Sequence, residues 1–201
     1  MKPLSKLTVA KKLAPTLALC AAFATGCGFN TVIAEDESVK AAWAEVQSQY
    51  QRRMDLVPNL VETVKGAANF EQSVLTGVVE ARAKATAINI DASVIDDPDK
   101  LKAFEEAQSR LSGALGRLLA VSENYPDLKA SAAFRDLMVQ LEGTENRITV
   151  ARGRYIESVA RYNTTVQSFP TMCGAAIRGR KVRPTFTATT PGAEVAPKVQ
   201  F

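Results

Sequence analysis

Four charged side chains stand where the sequence calls for apolar ones. Stepping by sevens along an apolar helical stripe from Val39 and Val46 lands on Arg53 before Leu60 restores the pattern. Glu145 and Arg152 lie four residues after Leu141 and Ile148, beside another such stripe, and Arg82 falls on the apolar side of a third. Guanidinium and carboxylate groups brought inside a helical protein have two uses. They can pair with one another and fix the register of the helices, because a buried charge is tolerable only when paired and hydrogen-bonded. They can also line a polar pocket for a ligand or a partner's carboxylate. Acid–base chemistry is harder to write, since the chain contains no histidine. That removes the usual neutral-pH base, the commonest metal ligand and the base of Ser/His or Cys/His pairs. The Glu-x-x-His pairs of di-iron carboxylate bundles are excluded for the same reason. Glu142 and Glu145 share a helix face and could hold Mg²⁺ or Ca²⁺, although two carboxylates at that spacing more often form a solvated edge. Arg53, Arg82, Glu145 and Arg152 are therefore read as a structural buried polar cluster, with no catalytic, cofactor or metal residue assigned.

The elements that must carry these residues are helices. Val39, Trp43, Val46, Tyr50, Val57, Leu60, Val61 and Val64 recur at three- and four-residue steps from Glu35 onward. Pro58 interrupts that segment, and Val57 would be a poor cap for a new helix, so one kinked helix is expected. Asn69-Phe-Glu-Gln72 resembles a capping box for a second helix with Val74, Leu75, Val78, Ala81, Ala85 and Ile88. Residues 89–97 read as a loop. Asp97-Pro98 supplies a cap and first-turn proline for a third helix with Leu101, Phe104, Leu111, Leu115, Leu118 and Leu119, ending at Asn124-Tyr125-Pro126. A fourth starts near Ser131 and keeps its stripe from Phe134 to Phe169, roughly 60 Å at the usual rise, until Pro170 stops it. Trp43, Tyr50, Tyr155 and Tyr162 read as core aromatics. The expected fold is all-α: an antiparallel up-and-down bundle of four long helices over residues 35–170, the first one kinked. An extended, basic, Pro- and Thr-containing C-terminal tail over 171–201 follows.

The N-terminus reads as an address. Lys2, Lys6, Lys11 and Lys12 precede an apolar run from Leu13 to Gly26, the layout of an export signal or membrane anchor over residues 1–26. Ala24-Thr25-Gly26 before Cys27 resembles the small-residue approach to a lipidated cysteine, with 27–34 as linker. The alternative keeps the segment as a spanning helix, since no charge occurs between Lys12 and Glu35. Either way, basic residues before it and Glu35-Asp36-Glu37 after it favour the bulk of the chain on the extracytoplasmic side. The net charge of +4 equals the four leader lysines, leaving 21 basic against 21 acidic residues, so no nucleic-acid surface is expected. With Cys27 modified and Cys20 removed, Cys173 has no intramolecular disulfide partner.

Several stretches carry a family resemblance. Gln51-Arg-Arg-Met-Asp-Leu-Val-Pro-Asn-Leu-Val61, Glu80-Ala-Arg82, Glu123-Asn-Tyr-Pro-Asp-Leu-Lys129, Leu141-Glu-Gly-Thr-Glu-Asn-Arg-Ile148, Ala151-Arg152 and Phe169-Pro170 resemble the LemA family over roughly residues 29–170. The resemblance implies an all-helical antiparallel bundle tethered to a bacterial membrane, without established enzymatic activity. The stretch after Pro170 departs from the family, which usually continues with an apolar run. The expected function is a non-enzymatic envelope protein, needing no cofactor, that is a scaffold or adaptor for another envelope protein. Self-association into a homo-oligomer that organises the membrane is the alternative, and an unrecognised enzyme comes third. Val199-Gln200-Phe201 offers a terminal aromatic carboxylate for recognition, or is part of a simple spacer.

Overall fold

A computed structural model describes the backbone of residues 6–88 and 91–186 and the side chains of 30–88, 91 and 93–186. The leader side chains, Cys27 among them, and the final residues with Val199-Gln200-Phe201 lie outside the described residues. Among the described residues every regular element is a helix: α1 (Lys6–Lys65), α2 (Gln72–Ala87), α3 (Pro98–Ser122), α4 (Pro126–Ala130), α5 (Ala132–Gln167) and α6 (Thr171–Ile177), with a 3-10 helix at Ala92–Asp96. Among them no helix is long and apolar enough to cross a membrane. The described residues pack as two compact units, those within Met1–Ala41 and Glu157–Val182 and those within Ala42–Ile156 and Arg183–Phe201.

The second unit holds most of the core. Its part of α1 buries Trp43, Val46, Tyr50, Val57, Leu60 and Val64, the stripe expected from the sequence. Pro58 sits inside continuous α1, where its missing N–H leaves the Met54 carbonyl without the usual helical donor. α2 buries Val74, Leu75, Val78, Ala81 and Ala85 and packs against α3, which buries Leu101, Phe104, Leu111, Leu115 and Leu118. Asp97 caps α3 as its position before Pro98 requires, its side chain accepting from the Asp99 and Lys100 amides. α5 adds Phe134, Leu141, Ile148, Ala151 and Tyr155.

Three local expectations need correction. Asn69 is not the cap of α2: it takes a left-handed φ of 61° in the preceding turn, and the N-cap position falls to Glu71, which makes no side-chain cap bond. The stretch 89–97 is not wholly loop, because Val94 and Ile95 are buried and the 3-10 helix turns both inward, with the Asp91 side chain accepting from the Ser93 amide. Nor is the region after Pro170 extended from its start. α6 occupies Thr171–Ile177, and Arg183 and Phe186 are buried further on.

The first unit is small. Among its described residues, Val32 and Val39 of α1, Val159, Tyr162 and Val166 of α5 and Ala175 of α6 are the buried apolar ones. Asp36 shares that interior with 1% of its side chain exposed. Gly179, at φ 65°, closes α6: its amide donates to the Ala176 carbonyl at 3.1 Å and the Arg180 amide returns to the Ala175 carbonyl at 2.9 Å. This is a left-handed helix stop that favours glycine, and it sends the chain back so that Arg180 Nη2 reaches Asp36 Oδ2 at 3.3 Å.

Candidate functional site

Within the second unit, α1, α3 and α5 enclose a polar cavity of about 190 Å³ lined by Tyr50, Arg53, Glu105, Gln108, Ser112, Glu145 and Arg152. Arg53 is its centre, with 1% of its side chain exposed. Nη1 donates to Ser112 Oγ at 2.7 Å and to Glu145 Oε1 at 2.9 Å. Nη2 donates to the Gln108 carbonyl at 3.3 Å and also to Gln108 Oε1. The guanidinium lies 5.0 Å from the Tyr50 ring centroid. The planar fork thus ties three helices together, which a lysine ammonium could not do in the same geometry.

A second pair shares the cavity. Arg152 Nη2 sits 3.2 Å from Glu105 Oε1, and its guanidinium stacks 4.3 Å over the Phe186 ring. Two arginines therefore face two glutamates and the lining is charge-balanced. Arg53 Nε and Gln108 Nε2 are buried donors with no acceptor among the described residues. What the cavity can accept is a small hydrogen-bond acceptor, either water or a carbonyl or carboxylate oxygen. Burial pushes the Tyr50 phenol above its ordinary range, against the opposing pull of Arg152 and Arg53. At neutral pH it is protonated and offers its ring to Arg53, not a base.

The structure gathers Arg53, Glu145 and Arg152 at this cavity and places Arg82 elsewhere. Arg82 Nε donates to the Met54 carbonyl at 3.0 Å, so it answers the backbone of α1. Glu142 is exposed and borders an adjoining, mainly apolar groove of about 430 Å³ lined by Leu115, Leu119, Met138 and Leu141, with Ser112 and Glu145 shared between groove and cavity. Among the described residues no group of three metal-ligating side chains gathers. Cys173 is exposed. Trp43, Tyr50, Tyr155 and Tyr162 are buried. Trp43 meets the rings of Phe104 at 5.5 Å and Tyr155 at 5.4 Å, which is core packing.

Sequence reading missed Glu105, Gln108 and Ser112 on α3, and Asp36 on α1. Gln108 was within reach, since a seven-residue step from Leu101 passes through it to Leu115. The same step back from Trp43 lands on Asp36.

These features define a class: an all-helical protein whose inward-facing charged groups are answered by one another. The chain belongs to the LemA family, whose family description matches residues 42–201. The match begins later than the resemblance suggested and includes the C-terminal stretch set apart above. Among its relatives are magnetosome protein MamQ 1 of Paramagnetospirillum magneticum and magnetosome protein MamQ of Magnetospirillum gryphiswaldense. Each is 25% identical over 169 residues, covering 76% of this chain and 62% of the relative. Protein LemA of Metamycoplasma hominis is 25% identical over 146 residues, covering 73% of this chain and 63% of its own length. The chain thus spans less than two thirds of the length of these curated relatives.

Proposed function

We propose that this protein is a non-enzymatic, membrane-tethered envelope protein that works by contact, as a scaffold or adaptor for another envelope protein. The tether is the N-terminal segment, through lipid on Cys27 or as a spanning helix, with the helical domain on the extracytoplasmic side. Within the second unit, α1, α2, α3 and α5 run up and down as a bundle, α1 bending at Pro58. Arg53, Glu145 and Arg152 lock its register.

The observation that carries this reading is the mutual pairing inside the cavity. Arg53 is held by Glu145, Ser112 and Gln108, and Arg152 by Glu105, which holds shape and leaves the set without a poised acid, base or nucleophile. The contact face is the outer line of α5. Val139 and Val150 are 70% and 53% exposed and about three turns apart on one side of the helix. A Cβ added at Gly143 or Gly153 would meet nothing within 4 Å, so these glycines leave room for an approaching surface.

A photo-crosslinking residue at Val139 or Val150 in intact cells tests the proposal. The expected result is one recurrent heterologous envelope protein from either position, its capture from Val150 lost on Val139→Lys. Crosslinks only between copies of the chain would favour the second reading, self-association along the membrane, which the same face can serve. Labelling no greater than at exposed Lys102 would show that the face is idle.

A further inference from the structure

We infer that α6 is a membrane-contact element that lays its outer face on an anionic lipid surface. The helix is apolar on both sides. Its inner side holds buried Ala175 with Thr171 and Gly174 half-buried, while the exposed side carries Met172, Cys173, Ala176 and Ile177. Phe169 at its start is 81% exposed and Ile177 at its end 78%. A helix without a polar face is stable where something other than water covers it.

Two observations identify what covers it. The first is charge. Between Glu157 and Glu194 the chain has no acidic residue, and the exposed Arg178 and Lys181 follow α6 directly, Arg180 between them being taken up by Asp36. An apolar face collared by cations matches the acyl boundary and headgroups of an anionic leaflet, while a solvated protein surface would carry both signs. The second is position. Arg180 meets Asp36 at 3.3 Å, and Asp36 lies two residues after the uncharged stretch that ends at Ala34. If that stretch is the tether, the ion pair holds α6 where the chain leaves the bilayer. The inference rests on the tether in this way.

The test uses the full chain carrying Cys20→Ser, with a polarity-sensitive fluorophore on Cys173. It is reconstituted into vesicles of phosphatidylcholine alone or with phosphatidylglycerol, and Cys173→Ser subtracts any label elsewhere. Flotation with the vesicles reads the tether, and quenching of the label reads α6. Lipids with brominated acyl chains are expected to quench the label several-fold more than aqueous iodide, and more strongly with phosphatidylglycerol present. A label at Glu157→Cys in the Cys173→Ser background, roughly 15 Å back along α5, stays open to iodide. Ile177→Asp is expected to return the Cys173 label to water while the protein still floats. A chain that floats with its Cys173 label fully open to iodide overturns the inference and leaves the tether standing. A chain that does not float overturns the tether, and the inference falls with it. A shielded label that instead tracks protein concentration in detergent, without lipid dependence, overturns it in favour of a second copy.

Discussion

Arg82 Nε donates to the Met54 carbonyl at 3.0 Å, and that carbonyl is the acceptor that Pro58, four residues on, cannot serve. A proline that weakens α1 and an arginine that crosses from α2 are thus two halves of one arrangement. Removing the donor leaves a partly buried acceptor unmet, a loss of about 1–2 kcal/mol. The double-mutant cycle is specific: Arg82→Ala is expected to be destabilising alone and close to neutral with Pro58→Ala, where the backbone amide returns. Denaturant melts giving the same loss in both backgrounds would show that Arg82 contributes through packing alone.

Arg53 and Glu145 are unequal partners, because Arg53 is 1% and Glu145 42% exposed. Arg53→Ala removes the donor of Ser112, Gln108 and Glu145 together and is expected to cost about 3 kcal/mol. Glu145→Ala leaves Arg53 still bonded to Gln108 and Ser112, and solvent screens the lost pair, so a loss under about 1 kcal/mol is expected. Arg53→Lys is not expected to rescue the fork. Chemical denaturation of the three variants checks the order, and equal losses from Arg53→Ala and Glu145→Ala would contradict it.

Two phenols set an alkaline limit. Burial raises both Tyr155 and Tyr50, with Arg183 opposing at the first and Arg152 and Arg53 at the second. The unfolded chain releases these protons near pH ~10 while the folded chain retains them, so the native state binds more protons above that value. Their contribution is complete below the unfolded pKa and is lost as pH rises through the folded values. Stability is therefore expected to fall above pH ~10, less steeply in Tyr155→Phe. Melts across alkaline pH with tyrosinate absorbance check this, and an unchanged slope in the variant would remove Tyr155 from the account.

Periodicity made the long stripes of α1, α3 and α5 legible, because each repeats over many turns and faces an apolar neighbour. It also located Arg53, since a single charge stands out in a regular stripe. It grouped Arg82 with the side-chain cluster, whereas its partner is a carbonyl freed by Pro58, and a backbone acceptor leaves no letter in the sequence. Gln108 and Asp36 obey the same seven-residue step, yet Gln108 carries no charge and Asp36 sits among other acids, so neither stood out. α6 is too short for a period to register. Its one sign was Gly179, which closes it, in a stretch whose prolines and threonines read as extended chain.

Phe186 shows where the C-terminal region joins the core. Its ring lies 5.2 Å from Tyr155 and 6.2 Å from Trp43, under the Arg152 guanidinium, and only 7% of the residue is exposed. The approach to it is pinned twice: Tyr155 donates its hydroxyl to the Pro184 carbonyl at 3.2 Å, and Arg183 Nε donates to Asp96 Oδ1 at 2.7 Å. An aromatic ring so enclosed is expected to cost about 3 kcal/mol on Phe186→Ala, lowering the melting temperature by roughly 6–12 °C for a chain of this size. Ending the chain at Val182 removes both pins and the ring and is expected to cost at least as much. Ending it at Phe186 keeps all three and is expected to leave the melt nearly unchanged. Thermal melts of the three forms decide the matter: if the Val182 form melts like the intact chain, residues 183–186 lie on the core without holding it, and the stabilising boundary of the protein returns to the end of α6.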